Sequence, residues 1–226
     1  MALRYIIYNL KIMDKSKYYN ISSNISNVDN MNAFERAIKR FFDILLSAIG
    51  IICLSPVFFC IFIIQKCTMK GKAIFKQERI GFKGQPFLIY KFRTMVEDAE
   101  ENGPQLAGED DKRLTPFGRF LRKHKLDELP QLWNIIKGDM SIVGYRPERH
   151  YFIEQIVEAN PDYCLLFCSR PGLTSHASVY NRYTYNLEKM LIRLDMDLDY
   201  LRKRTLWVDA KIIFQTIFSL FRGGNN

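Results

Sequence analysis

The stretch Ile44–Ile64, ILLSAIGIICLSPVFFCIFII, decides how the rest of this chain is read, because its 21 residues contain no charge. As a helix it is long enough to cross a hydrocarbon core of ~30 Å. Ser55 and Pro56 stand at its middle, and proline removes a backbone donor and crowds the preceding turn, so a break or kink is expected there. Arg36, Lys39 and Arg40 precede the stretch, and Lys66, Lys70 and Lys72 follow it. The positive-inside tendency then places both ends on the same, cytosolic side. Residues 33–68 are predicted to form a re-entrant helix-break-helix with arms of ~16 Å. A kinked transmembrane helix is the alternative that proline also permits.

Ahead of this segment, residues 1–32 mix short apolar runs with a Ser/Asn-rich stretch and show no signal-peptide cleavage site, so they read as an N-terminal extension. Behind it, residues 69–226 read as a compact cytosolic domain. Lys66–Arg93 holds eight basic residues against one acid, with apolar runs at Ala73–Phe75 and Phe87–Tyr90 that suit short strands or turns beside a basic surface. Glu97–Asp111 reverses the sign with seven carboxylates plus Gly103, Pro104 and Gly108, the composition of an exposed loop. Leu114–Lys125 suits a basic amphipathic helix carrying Phe117, Phe120 and Leu121 on one side. A last helix, Leu206–Phe221, places Leu206, Ala210, Ile213, Ile217, Leu220 and Phe221 on one stripe, widened by Trp207, Phe214 and Phe218. With Arg202, Lys203, Arg204, Lys211 and Arg222 around it, that stripe suits an interface with anionic lipid; core packing is the other reading. The expected fold class is mixed α/β, mostly helical: a membrane-embedded re-entrant segment and a compact catalytic domain with amphipathic interfacial helices.

The net charge of +9 calls for an anionic partner: nucleic acid, acidic lipid or a phosphorylated substrate. The long uncharged stretch argues against nucleic acid. Cys53, Cys60, Cys67, Cys164 and Cys168 show no zinc-type spacing, and their odd number argues against a disulfide framework. His124, His150 and His176 have no partner spacing that suggests a zinc site.

Chemistry concentrates at Asp127 and Glu128. Asp127 reads as the N-cap of a helix with Leu129, Leu132, Trp133 and Ile136 on one face and Gly138 at its end, and helix starts favour acids and proline for purely structural reasons. The surroundings point further: the acids follow a strongly basic helix and precede Gly144-Tyr145-Arg146-Pro147. A helix N-terminus and Arg122 would keep Asp127 ionised and able to attack phosphorus. A diphosphate substrate then needs cations to offset repulsion; Arg146, Lys91 and Arg93 could supply donors, and Mg²⁺ suits hard oxygen ligands from Asp127 and Glu128.

The ordered motifs carry a resemblance. Arg36–Asp43 leads into the apolar segment broken at Ser55 and Pro56. Gln77-Glu78-Arg79-Ile80-Gly81, Lys91-Phe92-Arg93-Thr94-Met95, Leu126-Asp127-Glu128-Leu129-Pro130-Gln131-Leu132-Trp133-Asn134, Lys137-Gly138-Asp139-Met140-Ser141-Ile142-Val143-Gly144 and Arg170-Pro171-Gly172-Leu173-Thr174 follow in order. Together they resemble the bacterial sugar transferases, the monotopic phosphoglycosyl transferases, in their short form. The resemblance implies a re-entrant membrane anchor, a UDP-sugar donor and a polyprenyl (undecaprenyl) phosphate acceptor, in an early membrane step of polysaccharide synthesis. Asp127 would be the nucleophile and Glu128 its partner, with UMP released and a covalent phosphosugar formed. Arg122 and Arg146 match arginines expected near the phosphates; Lys91 and Arg93 match a motif that could equally form the wall of the site. Gln77, Arg79 and Gly81 are expected to be structural. Tyr145 stands where the family usually has proline, which predicts a change in loop stiffness without loss of chemistry. His176–Tyr185 is a candidate for sugar contact. The location implied is the inner membrane with the catalytic domain facing the cytosol; a homodimer is left open. The rival reading is a non-catalytic basic membrane adaptor, which would account for the anchor and the charge but not for Asp127 and Glu128.

Overall fold

The structure, a computed structural model, describes residues 28–69, 71–101, 103, 105, 111–180 and 186–221. Most of the N-terminal extension and residues 181–185 of the candidate sugar-contacting segment lie outside them.

Helix α1 (Ala33–Thr68) is opened by a capping box in which the Asn32 side chain accepts from the Glu35 amide and Glu35 returns the bond. Its 36 residues would measure about 54 Å if straight. The helix runs through Ser55 and Pro56 without a gap. Pro56 leaves the carbonyl of Ile52, four residues back, without its amide donor, and the Ser55 hydroxyl donates to that oxygen at 2.8 Å. Ser55 thus supplies the donor that Pro56 lacks.

One stripe of α1 lies on the rest of the domain along its whole length, through Asp43, Ser47, Gly50, Ile51, Val57, Phe58, Ile61 and Gln65, at helical spacing. Asp43 accepts from the Ser141 hydroxyl and the Ile142 amide, and Gln65 donates to the Arg93 carbonyl. The opposite face, with Phe41, Leu45, Ile49, Ile52, Phe59 and Phe62, is exposed.

Strands β1 (Ile74–Ile80) and β2 (Pro86–Phe92) form an antiparallel hairpin in which Gln77 faces Ile89. Helix α2 (Pro116–Lys123) and a short helical turn, Leu126–Glu128, lead to α3 (Gln131–Lys137). Strand β3 (Ser141–Val143) pairs in parallel with β4 (Gly172–Thr174). Around them stand α4 (His150–Ala159), a 3-10 run at Pro161–Cys168, α5 (His176–Tyr180), α6 (Leu187–Lys203) and α7 (Leu206–Phe221). The fold is thus mixed and mostly helical.

The largest core joins α4, the 3-10 run and α6 through Phe152, Ile156, Tyr163, Phe167, Leu194 and Leu198, with Tyr145 from the loop after β3. Tyr145 is fully buried against Phe167, so in place of proline it adds an aromatic anchor. Smaller cores seat α1 on α3 through Ile51, Leu132 and Ile135, and on β2 and α2 through Ile61, Phe92 and Leu121.

Two stripes differ from expectation. In α3 Leu132 and Ile135 are buried while Trp133 is exposed, because Asn134 at 0 % exposure takes an inward position to bond β2. In α7 the inward face is Asp209 and Ile212, while Trp207, Phe214, Ile217 and Phe218 point outward. The large apolar residues of α7 are therefore not its core face, and with those of α1 they present aromatic surface to the surroundings.

Candidate active site

The site forms where the turn before α3 meets the end of β2. Lys125 adopts a left-handed conformation (φ 54°), and Leu126–Glu128 make one tight turn before the helix begins. Pro130 occupies the N-cap position of α3, so Asp127 does not cap it and lies instead in the helical turn that leads into it. Gly138 ends α3 as expected, at φ 98°. Asn134 fixes the helix to the strand: its side chain accepts from the Tyr90 amide at 3.0 Å and donates to the Leu88 carbonyl at 2.7 Å. This clamp sets Lys91 opposite the acids.

Lys91 Nζ donates to Glu128 Oε1 at 2.6 Å, and Arg146 Nη1 stands 3.6 Å from the same oxygen. Burial disfavours the Glu128 carboxylate, but Lys91 and then Arg146 outweigh it and hold the group down at about 2. Asp127 differs. It is 7 % exposed, and among the described residues it forms no ion pair within 4.0 Å. Burial pushes its carboxyl above the usual carboxylate range; Lys91 and Arg122 pull it back and Glu128 adds to the rise. Of the two acids, Glu128 is the one its neighbours hold low, while Asp127 is raised by burial and drawn back by Lys91 and Arg122.

Arg122 faces Asp127 electrostatically from α2, and its Nε donates to the Thr94 hydroxyl at 3.0 Å. Gly118 allows this approach, because a Cβ there would stand 1.9 Å from the Thr94 carbonyl oxygen. Arg93 lies elsewhere: its guanidinium borders Gly71 and Glu97 at the foot of α1. Arg79 pairs with Glu148 and donates to the Pro147 carbonyl, the structural part expected of it.

Of the six site residues expected from sequence, Asp127, Glu128, Lys91, Arg122 and Arg146 converge. Asn134 and Thr94, which hold Lys91 and Arg122, were not anticipated, although both lie inside the quoted motifs. Glu148, Arg193 and Asp197 were missed as well. Charged residues two and some fifty positions beyond Arg146 carry no local pattern that announces burial.

Among the described residues no group of three or more His, Cys, Asp or Glu side chains could hold a metal. The Asp127–Glu128 pair fits Mg²⁺ only in the manner of a cation that takes one or two carboxylates and completes its shell with water and substrate phosphate.

A mostly helical domain thus lies against one long apolar helix and brings paired acids together with a lysine and two arginines. A model of the bacterial sugar transferase family matches residues 34–223. The chain belongs to that family. It is 37 % identical over 186 residues to a UDP-N-acetylgalactosamine-undecaprenyl-phosphate N-acetylgalactosaminephosphotransferase of Aeromonas hydrophila, covering 82 % of this chain and 44 % of the relative. It is 38 % identical over 193 residues to a UDP-glucose:undecaprenyl-phosphate glucose-1-phosphate transferase of Escherichia coli K12, covering 84 % and 42 %. A protein of the same description from Caulobacter vibrioides is 37 % identical over 191 residues, covering 83 % and 71 %. The chain thus spans less than half the length of the first two.

Proposed function

We propose that this chain transfers a sugar 1-phosphate from a UDP-sugar to polyprenyl (undecaprenyl) phosphate through an aspartyl phosphosugar. The observation that carries the reading is the unpaired, buried Asp127 beside a Glu128 already neutralised by Lys91 and Arg146. An Asp127 carboxylate oxygen bonds to the β-phosphorus, and the bond from that phosphorus to the bridging oxygen breaks, so that UMP leaves with the oxygen and its electron pair. An oxygen of polyprenyl phosphate then attacks the same phosphorus, the bond to Asp127 breaks, and the aspartate is regenerated. Lys91, Arg122 and Arg146 offset the charge of the diphosphate and of the departing phosphate. Mg²⁺, held by Asp127 and Glu128 with substrate oxygens, would supply further charge neutralisation.

The seating of α1 supports a one-sided membrane attachment. Lys39 near one end pairs with Asp209 of α7, and Gln65 near the other bonds the backbone after β2, so a single domain holds both ends. A helix crossing the bilayer would drag that charged domain into the hydrocarbon. We therefore read α1 as dipping into the cytosolic leaflet in the re-entrant sense, with the outward aromatics of α7 at an interface that favours anionic lipid and the catalytic domain on the cytosolic side.

The test is UMP release by purified protein with Mg²⁺ and a panel of UDP-sugars, followed by trapping of labelled enzyme before acceptor is added. UMP appearing only in the presence of polyprenyl phosphate, with no labelled enzyme, would overturn the covalent scheme.

A further inference from the structure

Gln131 has no part in the scheme above, yet it is built into the same turn. Backbone bonds from the amides of Glu128, Leu129, Leu132 and Trp133 each reach the carbonyl three residues back, so the chain entering α3 turns about three residues at a time. That winding sets Glu128, Gln131 and Asn134 in one row along the side facing β2. Glu128 accepts from Lys91 at 2.6 Å, and Asn134 accepts from the Tyr90 amide and donates to the Leu88 carbonyl. Gln131 stands between them in the row and is 3 % exposed, but its amide nitrogen is buried with no hydrogen-bond partner among the described residues.

A buried donor left unbonded carries its full desolvation cost, which an apolar side chain of the same shape would avoid. Such a group in a folded protein calls for a reason. Its neighbours in the row do not supply one: Glu128 Oε1 already takes Lys91, and the Leu88 carbonyl already takes Asn134. The other unmatched group in this turn is Asp127, four positions earlier, which forms no ion pair within 4.0 Å among the described residues. One is an acceptor poised to bond phosphorus, and the other is a donor. A phosphoryl group between them matches both. Lys91 and Arg146 divide their charge with Glu128, whereas the Gln131 amide is committed to no protein group, and a donor already fixed costs no reorganisation at the moment of reaction. We propose that Gln131 binds substrate: its amide N–H donates to a non-bridging oxygen of the β-phosphate as Asp127 bonds the phosphorus, and keeps that bond in the aspartyl phosphosugar. This rests on the function proposed above.

The experiment uses the full chain in detergent with Mg²⁺. It compares wild type with Gln131→Met, which keeps the length and removes the donor, and with Gln131→Glu, which keeps the shape and puts an acceptor in the donor's place. Gln131→Met is expected to lower kcat/KM for UMP release about 100-fold, the scale of one lost oxyanion donor. Gln131→Glu should lose at least as much. Without nucleotide, Gln131→Met should melt no lower than wild type, because the unbonded donor is gone. UDP carries the β-phosphate and UMP does not, so UDP should raise the wild-type melting temperature further than UMP does. In Gln131→Met that advantage should disappear while the UMP shift stays. Wild-type turnover in Gln131→Met, a melting temperature below that of wild type, or an undiminished advantage of UDP over UMP would overturn the proposal. So would a wild type that both nucleotides stabilise equally. A wild type that releases no UMP from any UDP-sugar would sink the functional reading instead, and the UDP and UMP shifts would still decide whether Gln131 meets the β-phosphate.

Discussion

Two aspartates with almost no exposed side-chain surface sit at opposite ends of the molecule's chemistry. Asp29, 4 % exposed, is clamped by Arg204 through both oxygens at 2.7 and 2.6 Å, and it also accepts from Arg36 and the Met31 amide. Burial works against its charge, but Arg204 overrides it and holds the carboxyl below the usual range. Asp127, buried as a whole residue, has cations near it but none within 4.0 Å, and is pushed the other way. The same side chain is a finished joint in one place and an unfinished one in the other. Asp127 is the more deeply buried, and beyond that the two are separated by whether partners meet the charge at bonding distance. Where they do, the group stabilises the fold. Where they stop short, the group is left for a ligand.

The sharpest way to break this contrast is Asp127→Asn. Turnover should fall by about three orders of magnitude or more, as the loss of a nucleophile does, and labelled enzyme should vanish. The same substitution should raise the melting temperature by about 2–4 °C at pH 7, from removing about 1 kcal/mol of buried-charge cost. The direction follows from its raised carboxyl: the folded state holds the proton more tightly, so the penalty grows as pH rises above the ordinary carboxylate range and disappears in acid below it. A variant that loses both activity and stability would show that Asp127 is a joint like Asp29.

Asp29→Ala tests the other half. Leaving Arg204 buried without its partner should destabilise the fold by about 3 kcal/mol and leave turnover per folded molecule unchanged. Because the folded-state carboxyl is lowered, this stabilisation is present above the ordinary value and is lost as pH falls through the folded one. The Asp29→Ala and Asp127→Asn melting curves should therefore diverge at neutral pH and approach wild type together in acid. Thermal scans of the three proteins between pH 3 and 8 check this.

Lys91→Ala should cost about 100-fold in kcat/KM and move the acid limb of the pH–rate profile to higher pH. Lys91 is the strongest cationic pull on Asp127, and without it the carboxyl gives up its proton later. An unmoved limb would mean that a group other than Asp127 titrates there.

How far these pairings could be read in advance differed by scale. The bounds of α7, the strand pair and the end of α3 at Gly138 followed from periodicity and glycine, which are local. The acids and the residues facing them came through as well, because they fall within short motifs. What stayed hidden depends on long-range partners. Asp29 meets Arg204 across 175 positions, and Glu148 meets Arg193 across 45, distances over which a single sequence gives no pairing signal. Asp127 was misplaced as an N-cap because the left-handed turn at Lys125 delays the helix to Pro130, and lysine is not a residue whose presence announces such a turn.

Ser55 makes the smallest of the matched pairs. Its hydroxyl and the Ile52 carbonyl complete each other at 2.8 Å on the exposed side of α1, at the one turn where Pro56 supplies no amide. In water such a bond would be worth little, since solvent can replace it; in hydrocarbon nothing else can. Ser55→Ala should accordingly cost about 1 kcal/mol or less in detergent that leaves the turn wet, and more in a bilayer nanodisc. The helix should open at Ile52–Pro56, read as faster amide exchange over residues 52–58. Equal protection in the variant and wild type within the bilayer would show that the carbonyl is satisfied by another route and that Ser55 is not what carries α1 through its proline.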